Sequence, residues 1–282
     1  MISNALIELI RIRREKKGPK KRQKKPPKWL FPASQERSYD RALYALTHQL
    51  KVLIKERLLP EIPAMIKEVE SKMPTNDRQD QYLSRLNSLI ISLRQAIQRT
   101  LEETIKDVVS VGVAINQFNK EQFQRMNRTV FGIDLFVDEP WLADQLELFA
   151  NQNAQLIRSL PNEELERVSQ IIQRNLQEGK RYREISSDIQ KSFGITRRRA
   201  TLIARDQTTK LNSSLTKLRQ QEIGVEEYIW QTSGDERVRA THKAHDGKKF
   251  RWDSPPKNTG HPGQDINCRC NAIAVLDGIL DI

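Results

Sequence analysis

RQDQYLSRLNSLIISLRQAIQRTLEETIKDVV, residues 78–109, decides the fold class. Leu83, Leu86, Ile90, Leu93, Ile97, Leu101 and Ile105 recur at spacings of three and four. This is the period of an α-helix with one apolar stripe, not the alternation of a strand. Thr75 or Asn76 is placed to cap its start. Upstream, helices are predicted from about Gln35 to Leu59, stopped by Pro60, and from Ile62 to Met73, stopped by Pro74. Downstream, Gly112 weakens the helical pattern and Ala114 to Met126 resumes it.

The pattern continues past a break. FGIDLF, residues 131–136, with Pro140 after it, reads as a loop or a brief strand. Helices are predicted over 141–158 and 162–178, interrupted at Leu160-Pro161-Asn162 and ended by Gly179. Tyr182, Ile185, Ile189 and Phe193 then form a short apolar face that Gly194 closes. Thr196 caps a longer helix carrying Ala200, Ile203, Ala204, Leu211, Leu215 and Leu218. This shape suits either a plain helical hairpin or a DNA-reading helix-turn-helix with Arg197, Arg198 and Arg199 opening its second helix. After Gly224 the composition changes. Tyr228, Ile229, Trp230 and Thr232 suit a strand, Ser233-Gly234-Asp235 a turn, and Ala272 to Leu276 a final strand. The expected fold is mainly α, an elongated helical body followed by a small loop-rich α+β C-terminal module. Its expected divisions are 1–28, 29–128, 129–224 and 225–282.

Composition narrows the function. Apolar residues are 37% and charged residues 30% of the 282, so the core is thin and the helices have wide polar faces. Aromatics at 6% and 11 glycines argue against a sandwich or barrel. No apolar run reaches the roughly 18 residues of a membrane span, and residues 1–28 lack the apolar core of a secretory signal. Two cysteines make no disulfide framework, and a reducing compartment is expected. The first 28 residues hold Arg11, Arg13, Arg14, Lys16, Lys17, Lys20, Lys21, Arg22, Lys24, Lys25 and Lys28 against two glutamates. That is +9 of the chain's net +12. Such a segment reads as an electrostatic arm for DNA or an acidic partner. His48 stands alone on a helix and reads as an ordinary helical residue.

Both cysteines and three of the four histidines fall between residues 242 and 270. Two readings stay open. His242, His261, Cys268 and Cys270 converge on a tetrahedral zinc, with Asp246 a competing ligand. Alternatively no cofactor is bound, the thiols are small buried groups and the histidines order loops. The same cluster admits a metal-dependent nuclease or toxin-like enzyme, although no HExxH, Gly-x-Ser-x-Gly or P-loop occurs. Asp235, Arg237 and Arg239 read as loop-fixing residues rather than catalytic ones.

Between Ile203 and Val275 a set of short motifs runs in order. They are Ala204-Arg205-Asp206-Gln207-Thr208 with Asn212, Gly224, Trp230-Gln231-Thr232, Asp235-Glu236-Arg237-Val238-Arg239, His242, Asp246-Gly247, His261-Pro262 and Asn267-Cys268-Arg269-Cys270. In order and spacing they resemble the phage Mu F-like head morphogenesis proteins, minor capsid proteins of tailed phages. Upstream, Phe131-Gly132-Ile133-Asp134, residues 153–161, Gly179 and Gly194-Ile195 extend the likeness to about residues 130–276. The resemblance implies a structural, non-enzymatic, low-copy component associated with the portal vertex and the capsid interior. Its implied partners are the portal protein, the major capsid protein or both, together with packaged DNA. Its implied place is the virion, and the host cytoplasm during assembly.

Overall fold

The computed structural model describes residues 25–71, 75–132 and 138–276. Along the chain run α1 (Ala33–Leu53), a π-turn (Ile54–Leu58), a 3-10 turn (Leu59–Glu61), α2 (Ile62–Glu70), α3 (Thr75–Val130), α4 (Leu142–Gln177) and α5 (Tyr182–Glu222). Then come β1 (Glu227–Gln231), a short α6 (Ala240–Lys243), β2 (Lys249–Arg251) and β3 (Asn271–Ala274). The fold is thus mainly helical with a small antiparallel sheet near the C-terminal end. Among the described residues no helix is long and apolar enough to cross a membrane. The loop or strand expected at 131–136 and residues 11–24 of the basic arm lie largely or wholly outside the described residues.

Four expected helix breaks are different in the structure. The first helix leaves α geometry at Leu53, ahead of Pro60, through a wide turn closed by Leu59 N–H to Ile54 O. Pro60 has no N–H to continue the ladder, and the pitch changes before it. Gly112 does not interrupt α3. A Cβ there would lie 2.8 Å from the Phe149 ring, so the glycine admits an aromatic side chain against the helix. Pro161 lies inside α4, where Ile157, Leu160 and Leu165 form one buried face. Gly194 is exposed and helical, and α5 continues through it on the buried stripe Ile185, Ile189, Ser192, Thr196, Ala200 and Ala204. There is accordingly no helix-turn-helix at Gly194. The chain reverses at Gly179, whose φ is +67° and whose N–H bonds Leu176 O, while Lys180 N–H bonds Asn175 O.

The chain forms two compact units, and α3, α4 and α5 each contribute residues to both. One comprises residues 37–110 and 150–204. In it Leu43, Leu46, Leu50, Leu86, Leu93 and Ile97 are buried, and it also holds a polar knot. The buried Glu164 carboxylate accepts hydrogen bonds from Ser192, Thr196 and Arg167. Arg197 makes a two-pronged pair with Asp40, at 2.9 and 2.6 Å. Arg199 bonds Glu163 and Ser159. Two of the three arginines considered as base readers are therefore engaged with their own chain.

Among the described residues, the other unit comprises 25–36, 111–132, 138–149 and 205–276. Its sheet has the order β2-β1-β3, both pairs antiparallel, with Tyr228 opposite Phe250 and Ala274, and Trp230 opposite Ala272. Alternation sends Tyr228 and Trp230 inward. They pack with Trp29, Phe123, Met126, Ile223, Trp252 and the two cysteines. Gln220, from α5, donates to Ala272 O and accepts from Trp252 Nε1, tying helix to sheet.

Candidate functional site

The motif residues of 205–270 gather in this second unit, and most are held by bonds within it. Asn267 has φ +62°. Its N–H bonds Asp206 Oδ1 at 3.1 Å, and its Oδ1 accepts from Arg205 at 3.1 Å. The Ala204-to-Thr208 motif on α5 and the Asn267-to-Cys270 motif thus form one structural lock. Asp235 accepts the Arg237 N–H at 3.1 Å and faces the Arg269 guanidinium at 3.5 Å. Arg239 donates to Ile266 O at 2.7 Å. Asp246 accepts from both the N–H and the hydroxyl of Thr232, at 2.8 and 3.0 Å. Gly247, at φ +74°, sends its N–H to Trp230 O.

Of the four residues considered for zinc, the structure brings together three. His242 on α6 and Cys268 and Cys270, which precede β3, are all buried. Their ligand atoms lie within 4.8 Å of one another, and His242 Nδ1 is 3.5 Å from each sulfur. The other ring nitrogen, Nε2, lies 2.9 Å from Asp265 Oδ2. Cys268 Sγ also accepts the N–H groups of Gly263 and Cys270, each at 3.4 Å. A hydrogen bond from the Cys270 thiol, then these backbone donors, pull the Cys268 thiol down to about 6; the same pairing pushes Cys270 up.

His261 is the correction. Its Nδ1 is hydrogen-bonded with the Tyr228 hydroxyl at 3.0 Å, its ring packs on Trp252, and its backbone N–H bonds Gln264 Oε1. Burial, then the charge of Lys217, hold it down to about 4. Its neutral ring braces the aromatic core and stands outside the sulfur cluster. His245 likewise faces Thr259, Trp230 and Phe250, and burial lowers its pKa.

One buried polar group has no place in the sequence reading. Arg219 is wholly buried and pairs with Glu139 at 2.7 Å. Its position carried a signal: it continues the Leu211, Leu215 spacing of four onto the inner face of α5, where an arginine demands a partner.

Comparison with known proteins extends this picture. An uncharacterized protein of Haemophilus influenzae is 38% identical over 149 residues, which cover 52% of this chain and 33% of that protein. The NAD(+)–arginine ADP-ribosyltransferase EFV of Enterococcus faecalis is 31% identical over 116 residues, covering 36% of this chain and 24% of that protein. The chain therefore spans about a third and a quarter of these two relatives. No solved structure gives a significant match. The family model described as Phage Mu protein F like protein matches residues 166–273. That span, less than half of the chain, holds the Asp206–Asn267 lock, the sheet as far as residue 273 and the His242–Cys268–Cys270 cluster, and it is similar to the Phage Mu protein F like family.

Proposed function

We propose that the protein is a minor capsid protein acting in phage head morphogenesis, at the portal vertex and capsid interior, and that its basic arm contacts packaged DNA. The family match over 166–273 carries this reading. The internal bonding of Asp206, Asp235, Asp246 and Asn267 supports it. These groups hold loops in place, as a scaffold for protein contacts requires. The role is structural rather than enzymatic, with portal or major capsid protein as the partner. Disrupting the gene in the phage or prophage is expected to reduce intact heads, and purified heads should contain the protein at far fewer copies than the shell subunit. Normal head yield together with absence from purified heads would refute the assignment.

The arm joins the second unit at an anchored point. Lys25 and Lys28 are exposed, Lys28 O accepts from Arg125, and the buried Trp29 exchanges two backbone bonds with the Gln231 amide. Deleting residues 1–28 keeps Trp29 and its pairing with Gln231, loses the Lys28–Arg125 bond, and removes +9 of charge. Truncation is expected to abolish most duplex-DNA affinity. With about six cations engaged on phosphates, the full chain should show a log–log salt slope near −5. Titration of both proteins at several salt concentrations measures it, and equal affinity with equal slope would remove the arm from the proposal.

A further inference from the structure

We propose that His242, Cys268 and Cys270 bind one zinc ion, through the imidazole Nδ1 and both thiolates. The spacing of the donors fits the ion. Zn–S is about 2.3 Å and Zn–N about 2.0–2.1 Å, so a tetrahedral angle separates N from S by about 3.5–3.6 Å. His242 Nδ1 stands 3.5 Å from each sulfur. Thiolate with imidazole is the donor set that zinc favours.

The proton on His242 is also in the right place. Asp265 offers a carboxylate at 2.9 Å from Nε2, and a carboxylate accepts hydrogen bonds. Nε2 therefore carries the hydrogen and Nδ1 presents its lone pair to the sulfurs. A metal-bound histidine is held by an outer carboxylate in this way. Arg239 stands 3.7 Å from the same carboxylate. The N–H groups of Gly263 and Cys270 support the Cys268 sulfur as an anion. In the bound state both sulfurs are thiolates, and the site of two thiolates, one neutral imidazole and Zn²⁺ is neutral overall.

The three ligand residues line one cavity of about 150 Å³, with Ser233, Asp235 and Val238 on its other walls. It has room for a water as fourth ligand. An ion here ties the His242 turn to the residues that lead into β3. It fastens the loops of residues 232–270, which the three short strands leave free of ladder bonds for most of their length.

The test uses the full chain, purified under reducing conditions without an affinity tag or chelator from zinc-supplemented cells. Elemental analysis should find about one zinc per chain. The C268S/C270S double variant should fall below a tenth of that, while His261→Gln keeps its zinc. Asp265→Asn should weaken affinity by about 10–100-fold. Should the cysteine variants fail to fold, the wild-type protein decides alone. After stripping, Co²⁺ titration should give a thiolate-to-metal absorption band that saturates at one equivalent and is displaced by Zn²⁺. Zinc below a tenth of an equivalent with no such band would overturn the proposal, as would zinc content unchanged in C268S/C270S.

Discussion

Replacing Glu139 with alanine is expected to lower the unfolding free energy by about 3–5 kcal/mol, the cost of leaving a buried cation without its partner. Arg219 shows no exposed surface. Its Nε and Nη2 donate to the two Glu139 oxygens at 2.7 and 2.9 Å. Nη1 donates to Asn119 Oδ1 at 2.6 Å and Asn116 O at 3.4 Å, and Nη2 also donates to Asn116 Oδ1 at 2.6 Å. All five guanidinium N–H groups are thus accounted for. Asn119 is held in turn by Asn212 and Thr216. The network orients every donor, so removing the one anion strands the charge while its neutral partners stay fixed. Replacing both members with leucine should cost less than the single alanine change, since a buried pair exchanged for apolar groups is often near neutral. Urea denaturation of wild type, Glu139→Ala and the double variant measures both effects. A single-variant loss under about 1 kcal/mol, on the scale of an exposed ion pair, would show that the pair carries little.

Arg219 also shows where sequence reasoning stops. Leu and Ile stripes announce helices because burial is periodic. Between residues 82 and 108 the buried apolar residues of α3 are Tyr82, Leu86, Ile90, Leu93, Ile97, Leu101 and Val108, close to the stripe read from spacing alone. Breaks are less legible. A glycine in a helix costs about 1 kcal/mol and a proline about 3, which packing outweighs. Phe149 against Gly112, and the buried face around Pro161, supply that packing. The site divides in the same manner. Clustering of His and Cys between 242 and 270 marked the region, but which histidine faces the thiols depends on loop conformation. His261 and His242 are both buried, and only the fold separates the one beside Tyr228 from the one beside sulfur. Arg219 was hidden because a cation on a helix reads as surface until its partner 80 residues away is in place.

Gly263→Ala should be the most damaging small substitution in the motif loops, and the reason is again a distant partner. Gly263 has φ +83°, a region where a Cβ costs about 1–2 kcal/mol. Gly234 and Gly247 share that conformation at +75° and +74°, but a Cβ at either meets nothing within 4 Å. At Gly263 the added carbon would lie 1.9 Å from Ser213 Oγ, 2.8 Å from Ser213 Cβ and 3.1 Å from Thr209 Cγ2, all on α5. Ser213 can turn its hydroxyl away, but its Cβ is fixed to the helix backbone. The loop must therefore lift from α5. Lifting it strains the Gly263 N–H bond to Cys268 Sγ and the Asn267 N–H bond to Asp206. Overpacking of this kind adds about 1–3 kcal/mol to the backbone term. Gly263→Ala is thus expected to cost about 2–5 kcal/mol in total, whereas Gly234→Ala should lose only the backbone strain of about 1–2 kcal/mol. Chemical denaturation of the two variants side by side gives the comparison. Equal losses would mean that the loop is not seated on α5 at Ser213, and that conformation alone explains the glycine.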